Sequence, residues 1–351
     1  MSLLKAQPEG ATDISPAHSS PSPFSLIVGI GLLVLATVHC VASIFFVNYS
    51  YLDLKAYAAG AERMPYQGRM GMMPVLRLAE ESPGFVALAA KIAHVMASHG
   101  HSAFKDMTPE ILACILAGLI SLLLSLAIAT IYGIKQNRQV WWLTPTLLLA
   151  MLYVTQGARY ETTLWYPYDL PHAALFGTAC ILIMEGAWIP ALLLFLLDVP
   201  MRETSIFLVF VCLAVGWARG QVRQAALVSA GMIAAWIPFR LYVQHRFAGN
   251  PSELGLKYHT LLATIVSPIH WPQIASAFGF LLIPMCLGNR LLSRTQRAFM
   301  LGAMPGLLVT LAFGVWPETR IFGEWLLPAS VLLTAEAMAL FPLQATKWKS
   351  A

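Results

Sequence analysis

Apolar runs recur along the whole chain, with short polar segments between them, and ten of them approach membrane-spanning length. A transmembrane helix needs roughly 20 mainly apolar residues to cross the hydrocarbon core of a bilayer. The runs lie at residues 24–46, 110–133, 140–157, 171–186, 187–199, 204–217, 224–243, 272–289, 298–315 and 325–343. The sequence therefore predicts an all-α fold, a polytopic membrane bundle of about ten transmembrane helices within residues 24–343.

Two parts of this pattern have more than one interpretation. Residues 171–199 fit either one long helix or two short helices that turn at Glu185-Gly186. A glycine beside a charge at the midpoint favours the turn. The runs at 187–199 and 204–217 are short for a full span, so tilted or partly re-entrant helices are the alternative there.

The segments outside the spans differ in length and character. Residues 1–23 are rich in Ser and Pro without periodicity, which predicts a disordered tail, and residues 344–351 form a second, short tail. The first apolar run has no small-residue cleavage motif after it, which favours an anchor over a signal peptide. The longest predicted outer loop covers residues 47–107, and residues 82–97 within it have amphipathic helical spacing. That helix either lies on the membrane surface or caps the bundle.

Composition supports membrane embedding, and charge placement gives an orientation. The chain is 58% hydrophobic and 11% charged, whereas soluble domains carry roughly 25% charged residues. Lys and Arg collect in one set of short loops, as at Lys135, Arg138, Arg219 and Arg223, while most acidic residues fall in the other set. By the positive-inside rule both termini are expected in the cytoplasm, with the chain in the plasma (inner) membrane.

The same composition bounds the partners and cofactors. Membrane lipid is an expected partner, whereas a net charge of +5 gives no reason to expect nucleic acid, and nothing identifies a protein partner. The cysteines all lie in apolar runs and share no motif, so neither a disulfide nor a metal site is predicted. His94, His99 and His101 do not have the spacing of a helical ligand pair. No cofactor is expected, and nothing supports a divalent cation.

Short polar segments beside apolar runs carry the candidate chemistry. Charge is costly near hydrocarbon, so carboxylates retained there indicate a site. Arginine binds phosphate through a two-pronged hydrogen bond, and tyrosine and glutamine can hydrogen-bond sugar hydroxyls. The predicted catalytic residue is Asp53, and the predicted substrate-binding residues are Tyr57, Tyr66, Gln67, Arg69, Asp169, Arg202, Glu203, Glu318 and Arg320.

Each polar segment also has a purely structural interpretation. Asp53 fits a helix cap or a solvated loop residue. Asp169 comes shortly before Pro171, where an aspartate caps a helix that begins with proline. Arg202 and Glu203 fit an ion pair that closes a helix turn, and the Glu318–Arg320 segment fits an interface anchor.

The order of these segments resembles the glycosyltransferase C superfamily of polytopic membrane enzymes. In that pattern an acidic residue follows the first span, here Asp53, with Pro65-Tyr66-Gln67-Gly68-Arg69 after it. A middle helix begins with a motif similar to aromatic-Asp-Pro, here Tyr168-Asp169-Leu170-Pro171. A later helix opens with Arg202-Glu203-Thr204, and Glu318-Thr319-Arg320 precedes a late span. The resemblance covers roughly residues 45–330.

The resemblance implies transfer of a sugar from a polyprenyl-phosphate-linked donor to an acceptor on the outer side of the membrane. The first-loop acid of the family acts as general base, a role that maps onto Asp53, or helps to hold a metal in some members. This chain has no acidic pair at residue 53, which puts a metal in doubt, and no large soluble C-terminal domain. Acceptor recognition is therefore expected to rest on loops.

Other classes of membrane protein remain open on the sequence. A polysaccharide polymerase or ligase would share the outer arginines without needing Asp53. A transporter or flippase for a lipid-linked or polar solute predicts polar residues deep in several spans, where this chain has mainly His39 and Glu336. A non-catalytic membrane protein is the last alternative.

Overall fold

The structure, a computed structural model, describes residues 23–99, 107–157, 164–252, 266–271, 284–285, 287–313 and 319–340. The fold of this part is all-α, as predicted. Its paired strands are two residues each, β1 (Tyr49–Ser50) and β2 (Leu164–Trp165), which lie parallel in register Tyr49–Leu164. The predicted tails except Pro23, most of the predicted span at 272–289 and the residue Glu318 lie outside the described residues.

Most of the described α-helices lie on predicted apolar runs, whereas three lie within the predicted outer loop 47–107. In chain order they are α1 (Pro23–Val47), α2 (Leu54–Ala59), α3 (Met73–Glu81), α4 (Pro83–Ser98), α5 (Pro109–Gln136), α6 (Leu143–Leu152), α7 (Asp169–Glu185), α8 (Trp188–Asp198), α9 (Leu208–Ala218), α10 (Val222–Arg246), α11 (Arg294–Phe313) and α12 (Leu326–Leu340). Two 3₁₀ helices matter for the site. We call them the Glu203 turn (Glu203–Phe207) and the Glu324 turn (Thr319–Trp325).

Four described helices are long and apolar enough to cross a membrane, judged by length and composition. They cover Leu26–Phe46, Pro109–Gln136, Val222–Arg246 and Ile321–Leu340. Other apolar helices are shorter; α8, for example, reaches only about 16 Å at 1.5 Å per residue, against a hydrocarbon core of about 30 Å. The chain is thus a helical protein with membrane-spanning candidates, while the count of ten spans and the orientation of the termini stay predictions.

The ambiguous segment 171–199 is two helices, which confirms the predicted turn. Gly186 ends α7 with φ 77°, a left-handed conformation that glycine adopts without steric cost. Its N–H and that of Ala187 satisfy the last carbonyls of α7. A side chain at Gly186 would also meet Arg219, whose Nε lies 2.9 Å from the position of a Cβ.

The predicted amphipathic helix is α4, and its N-terminus is capped by Ser82, whose Oγ accepts from the Phe85 N–H at 3.4 Å. One face packs on the start of α5 through Ala89, which is buried with Leu112. The remaining surface exposes apolar side chains, namely Val86, Leu88 and Val95. The helix therefore packs on the bundle with one face and offers an apolar surface on another.

Close packing around α7 brings distant polar segments together. Gly177 lets α7 approach α12 so closely that a Cβ there would lie 2.9 Å from the Leu327 Cβ. The Glu324 turn runs directly into α12, so this approach sets Glu324 beside the first turn of α7. Helix α8 returns along α7 after the Gly186 turn, and its last residue, Asp198, reaches the same end.

The topology is testable by cysteine labelling at the two ends of α10. The exposed residues Arg223 and Arg246 lie about 34 Å apart along this helix. We expect Lys55→Cys and Arg246→Cys to react with an impermeant maleimide in intact cells, and Arg138→Cys and Arg223→Cys to react only after permeabilisation. The described native cysteines are buried and serve as a low background. Labelling of positions 223 and 246 from the same side would show that α10 does not cross the membrane.

Candidate functional site

Asp53 caps a short helix in the first loop. Its carboxylate Oδ1 accepts from the backbone N–H groups of Lys55 at 3.0 Å and Ala56 at 3.1 Å, at the start of α2. The residue is exposed. The structure thus shows the capping role that the sequence left open, and the catalytic role of Asp53 stays a prediction.

A chain of hydrogen bonds connects Asp53 to Arg69 through the first loop. The Asp53 N–H donates to Glu62 Oε2 at 3.1 Å, and the Glu62 N–H donates to Gln67 Oε1 at 2.8 Å. The Gln67 amide donates to the Tyr57 carbonyl at 3.3 Å, and the Tyr57 hydroxyl donates to the Arg69 carbonyl. Tyr57 and Gln67 are fully buried. The structure places these two predicted substrate-binding residues as internal supports of the loop.

Arg69 forms a two-pronged ion pair with Glu203, 134 positions away. Arg69 Nε donates to Glu203 Oε2 at 2.9 Å, the other pair of atoms is closer still, and Arg69 Nη1 donates to the Tyr168 hydroxyl at 3.1 Å. Burial by itself would raise the pKa of Glu203, but the charge and hydrogen bonds of Arg69 outweigh it and hold that pKa well below its usual range. The pair is therefore ionised at neutral pH.

A second polar cluster lies on the other side of the Glu203 turn. His172 Nδ1 is 2.7 Å from Asp198 Oδ1, and His172 Nε2 is 2.6 Å from Glu324 Oε2. All three side chains are 0% exposed. We call His172, Asp198 and Glu324 the His172 centre.

The segment Arg202-Glu203-Thr204 connects the two clusters. The Thr204 hydroxyl donates to Glu324 Oε2 at 2.7 Å and lies 3.1 Å from His172 Nε2. Arg202 Nη1 is 3.7 Å from the same Glu324 oxygen, whereas Glu203 pairs with Arg69. The predicted ion pair between Arg202 and Glu203 is thus replaced by two pairs to distant segments.

Arg240 is a third arginine at this place. Its Nη2 donates to the Val199 carbonyl at 2.9 Å and its Nη1 to the Gly68 carbonyl at 3.2 Å. Both Arg240 and Arg202 lie near enough to help lower the pKa of Glu203. The Nε atoms of Arg202 and Arg240 are buried, and within the described part of the chain neither has a hydrogen-bond partner.

Aromatic rings line the first-loop side of the site. Tyr66 stacks on Tyr166 with ring centroids 5.4 Å apart, and Tyr166 contacts Tyr168 at 5.6 Å. The Arg69 guanidinium lies 5.3 Å from the Tyr168 ring centre and 5.8 Å from that of Tyr66. Tyr66, a predicted substrate-binding residue, is half-buried, so part of its ring is accessible.

The remaining predicted residues take different positions. Asp169 is buried in the first turn of α7, and Tyr168 rather than Asp169 occupies the N-cap position. The capping interpretation of Asp169 was therefore wrong by one residue, although an acid in the first turn still favours the helix dipole. Glu318 and the side chain of Arg320 lie outside the described residues.

His172 is a site residue that the sequence pattern did not reveal. It lies within the predicted apolar run 171–186, although an ionisable side chain within a predicted span is a signal of function by default. Within the described ranges no group of three or more His, Cys, Asp or Glu side chains could hold a metal ion. In the His172 centre the two carboxylates contact opposite ring nitrogens, so their oxygens do not converge with the ring on one point.

A narrow apolar crevice lies beside the site, between α5, α6, α7 and α12. Its apolar lining includes Leu122, Leu148, Leu152, Leu170, Leu326 and Leu327, and it reaches Gly323, next to Glu324.

No protein-family model, curated protein or solved structure matches this chain.

Proposed function

We propose that this chain is a membrane glycosyltransferase that moves a sugar from a polyprenyl-phosphate-linked donor to an acceptor on the outer side of the membrane. One observation carries the proposal: Arg69 pairs with Glu203, and the charges of Arg240 and of the neighbouring Arg202 act on the same carboxylate. Arg202 also faces Glu324, so Arg69 and Arg240 against the single charge of Glu203 leave one positive charge in excess, which favours an anionic ligand.

The geometry favours phosphate as that ligand. The buried Nε donors of Arg202 and Arg240 have no acceptor in the described part of the chain, and an unmade hydrogen bond of a buried group costs about 1–3 kcal/mol. Phosphate oxygens accept such donors in pairs. Glu203 fixes the Arg69 fork, with 12% of the Arg69 side chain and 40% of the Glu203 side chain exposed. The ion pair therefore borders the accessible surface.

In the proposed reaction, one bond to the sugar forms while another breaks, and different parts of the site handle the charge and the proton. The acceptor hydroxyl oxygen forms a bond to the anomeric carbon of the sugar, while the bond from that carbon to the phosphate oxygen breaks. The lipid phosphate leaves with the electron pair, and the arginines stabilise its charge. Asp53 is exposed, and its backbone N–H is linked through the loop to the Arg69 carbonyl; its carboxylate takes the hydroxyl proton.

The second candidate function is a transporter or flippase of a lipid-linked or polar solute. The His172 centre is the observation that favours it, because buried ionisable groups inside a membrane protein often belong to proton-coupled pathways. Such a protein would also bind lipid phosphate, but it would leave the sugar–phosphate bond intact.

Conservative replacement of the arginines tests the phosphate site. Lysine keeps the charge but loses the Nε donor, so Arg202→Lys and Arg240→Lys should each weaken binding of polyprenyl phosphate about 10–100-fold, as expected for one lost charged hydrogen bond. Binding is measured by native mass spectrometry of the solubilised full chain, and melting temperature is measured alongside. Arg223→Lys is the matched control, since this exposed residue lies at the far end of α10 from Arg240.

Two outcomes decide the assignment. Weaker binding with nearly unchanged melting temperatures supports the phosphate site. Lower melting temperatures with unchanged binding would make both arginines structural and would overturn it.

A further inference from the structure

The two contacts of the His172 ring determine how many protons the His172 centre holds. Each nitrogen of the His172 ring lies within hydrogen-bond distance of a different carboxylate oxygen, at 2.7 Å and 2.6 Å. An ionised carboxylate can only accept a hydrogen bond, and a neutral imidazole can donate only one. Both contacts are therefore made only if the centre holds two protons, either on an imidazolium or on a neutral ring and one carboxylic acid.

The charges that face His172 balance with that second proton in place. They are Asp198 at the end of α8, Glu324 in the Glu324 turn and Arg202 ahead of the Glu203 turn. Arg240 on α10 also acts on Asp198, although more strongly on Glu203. With imidazolium and Arg202 against two carboxylates, the net charge is zero. On α7 itself, Asp169 lies in the first turn and the Cys180 thiol lies about two turns beyond His172.

On the other helices that pack on α7, the charged residues lie far from His172. Helix α9 carries none between Leu208 and Ala218. Helix α5 meets α7 at Gly118, and Glu110 is about 12 Å further along it. On α11, Arg294 and Arg297 lie more than about 13 Å along the helix axis from Gly306, which packs on Trp325 of the Glu324 turn. On α12, Glu336 lies more than about 13 Å along the axis beyond the Glu324 turn.

We propose that the His172 centre is a proton-binding site, which holds one proton in common among His172, Asp198 and Glu324 and releases it toward the surface through the Thr204 hydroxyl. Thr204 is half-buried and contacts both Glu324 and His172, so it connects the buried centre with the accessible side. This site stands whether or not the chain transfers a sugar.

Loss of the proton would change the site next to it. Two ionised carboxylates would then share one neutral ring and Arg202, in a place where none of the three groups of the centre is exposed. Unpaired charge in such surroundings is strongly destabilising. Because Thr204 and Arg202 flank Glu203, a shift of either would move the partner of Arg69. The proton therefore sets the position of the Glu203 turn.

Stability should depend on pH with a definite sign. The unfolded chain releases the imidazole proton above about pH 6.5, whereas the folded centre keeps it to higher pH. Folding is then linked to proton uptake, and stability is fully present below about pH 6.5 and is lost as pH rises through the range where the folded centre gives up its proton.

The test is the melting temperature of the solubilised full chain from pH 6 to pH 10.5, together with ¹⁵N NMR of histidine-labelled protein. We expect the wild type to lose stability at alkaline pH. The His172→Gln variant should lack that limb, and the exposed control His94→Gln should keep it. At pH 8 the resonances that vanish in His172→Gln should show a ring with both nitrogens protonated, or a neutral ring whose proton exchanges with a neighbouring acid.

A second variant covers the case in which His172→Gln does not fold. Asp198→Asn removes one anion and keeps an acceptor, so the alkaline loss of stability should move to lower pH by about one unit or more. An unmoved midpoint, or an alkaline limb that is the same in His172→Gln and wild type, would overturn the proton-binding site. Lipid-phosphate binding is not read out here, so failure of the proposed transferase activity leaves this test intact.

Discussion

Asp53→Asn should lower sugar transfer about 10²–10⁴-fold, which is the usual contribution of a general base, while expression and membrane insertion stay intact. The structural reason for intact folding is specific. Asp53 caps α2 through Oδ1, and asparagine caps a helix about as well as aspartate does. The exchange therefore removes the proposed base and keeps the cap. Transfer is measured with a polyprenyl-phosphate-linked sugar as donor and cell membranes as the source of acceptor.

A matched variant separates the base from the cap. Asp53→Ser also keeps a capping oxygen, so it should fold like Asp53→Asn and be equally inactive. Asp53→Ala loses the cap as well, and its melting temperature should fall by the equivalent of about 1 kcal/mol. Full activity of Asp53→Asn would move the chemistry to another residue.

Glu324→Leu should be the most destabilising single replacement in the site, at about 3–5 kcal/mol. Glu324 is the shared partner of His172, Thr204 and Arg202, and its side chain is 0% exposed. Its removal leaves Arg202 and a protonated His172 without their common anion. Thermal and denaturant unfolding of the solubilised protein measure the loss.

Glu185→Leu is the control for that measurement. Glu185 pairs with Lys135 at 3.6 Å, but their side chains are 41% and 59% exposed, and exposed pairs contribute only about 0–1 kcal/mol. Equal stability losses in Glu185→Leu and Glu324→Leu would show that the His172 centre does not hold the fold together.

The helices could be predicted because their signals are local. The apolar runs located α1, α5 and α10, and a glycine beside a charge located the turn after α7. The first residues of helices were predicted less accurately, because a shift of one residue does not change the apolar pattern. Asp169, for example, lies one residue after the N-cap of α7.

The site could be predicted only in part, because its contacts join distant positions. Sequence patterns selected Arg69, Arg202 and Glu203 but gave no means to see that Arg69 meets Glu203 across 134 positions. His172 meets Glu324 across 152 positions, and an apolar run hid it. Asp53 shows the opposite limit, since its residue type fits a cap and a base equally well and the structure shows the cap.

Recognition of a lipid phosphate is the central claim, and binding of polyprenyl phosphate against polyprenol tests it most directly. The two probes share the tail and differ only in the phosphate. In native mass spectrometry of the full chain, we expect clear binding of polyprenyl phosphate and at least tenfold weaker binding of polyprenol, a difference of about 1.4 kcal/mol. The double variant Arg202→Lys, Arg240→Lys should lose that preference. Equal binding of both lipids by the wild type would contradict a phosphate site at these arginines.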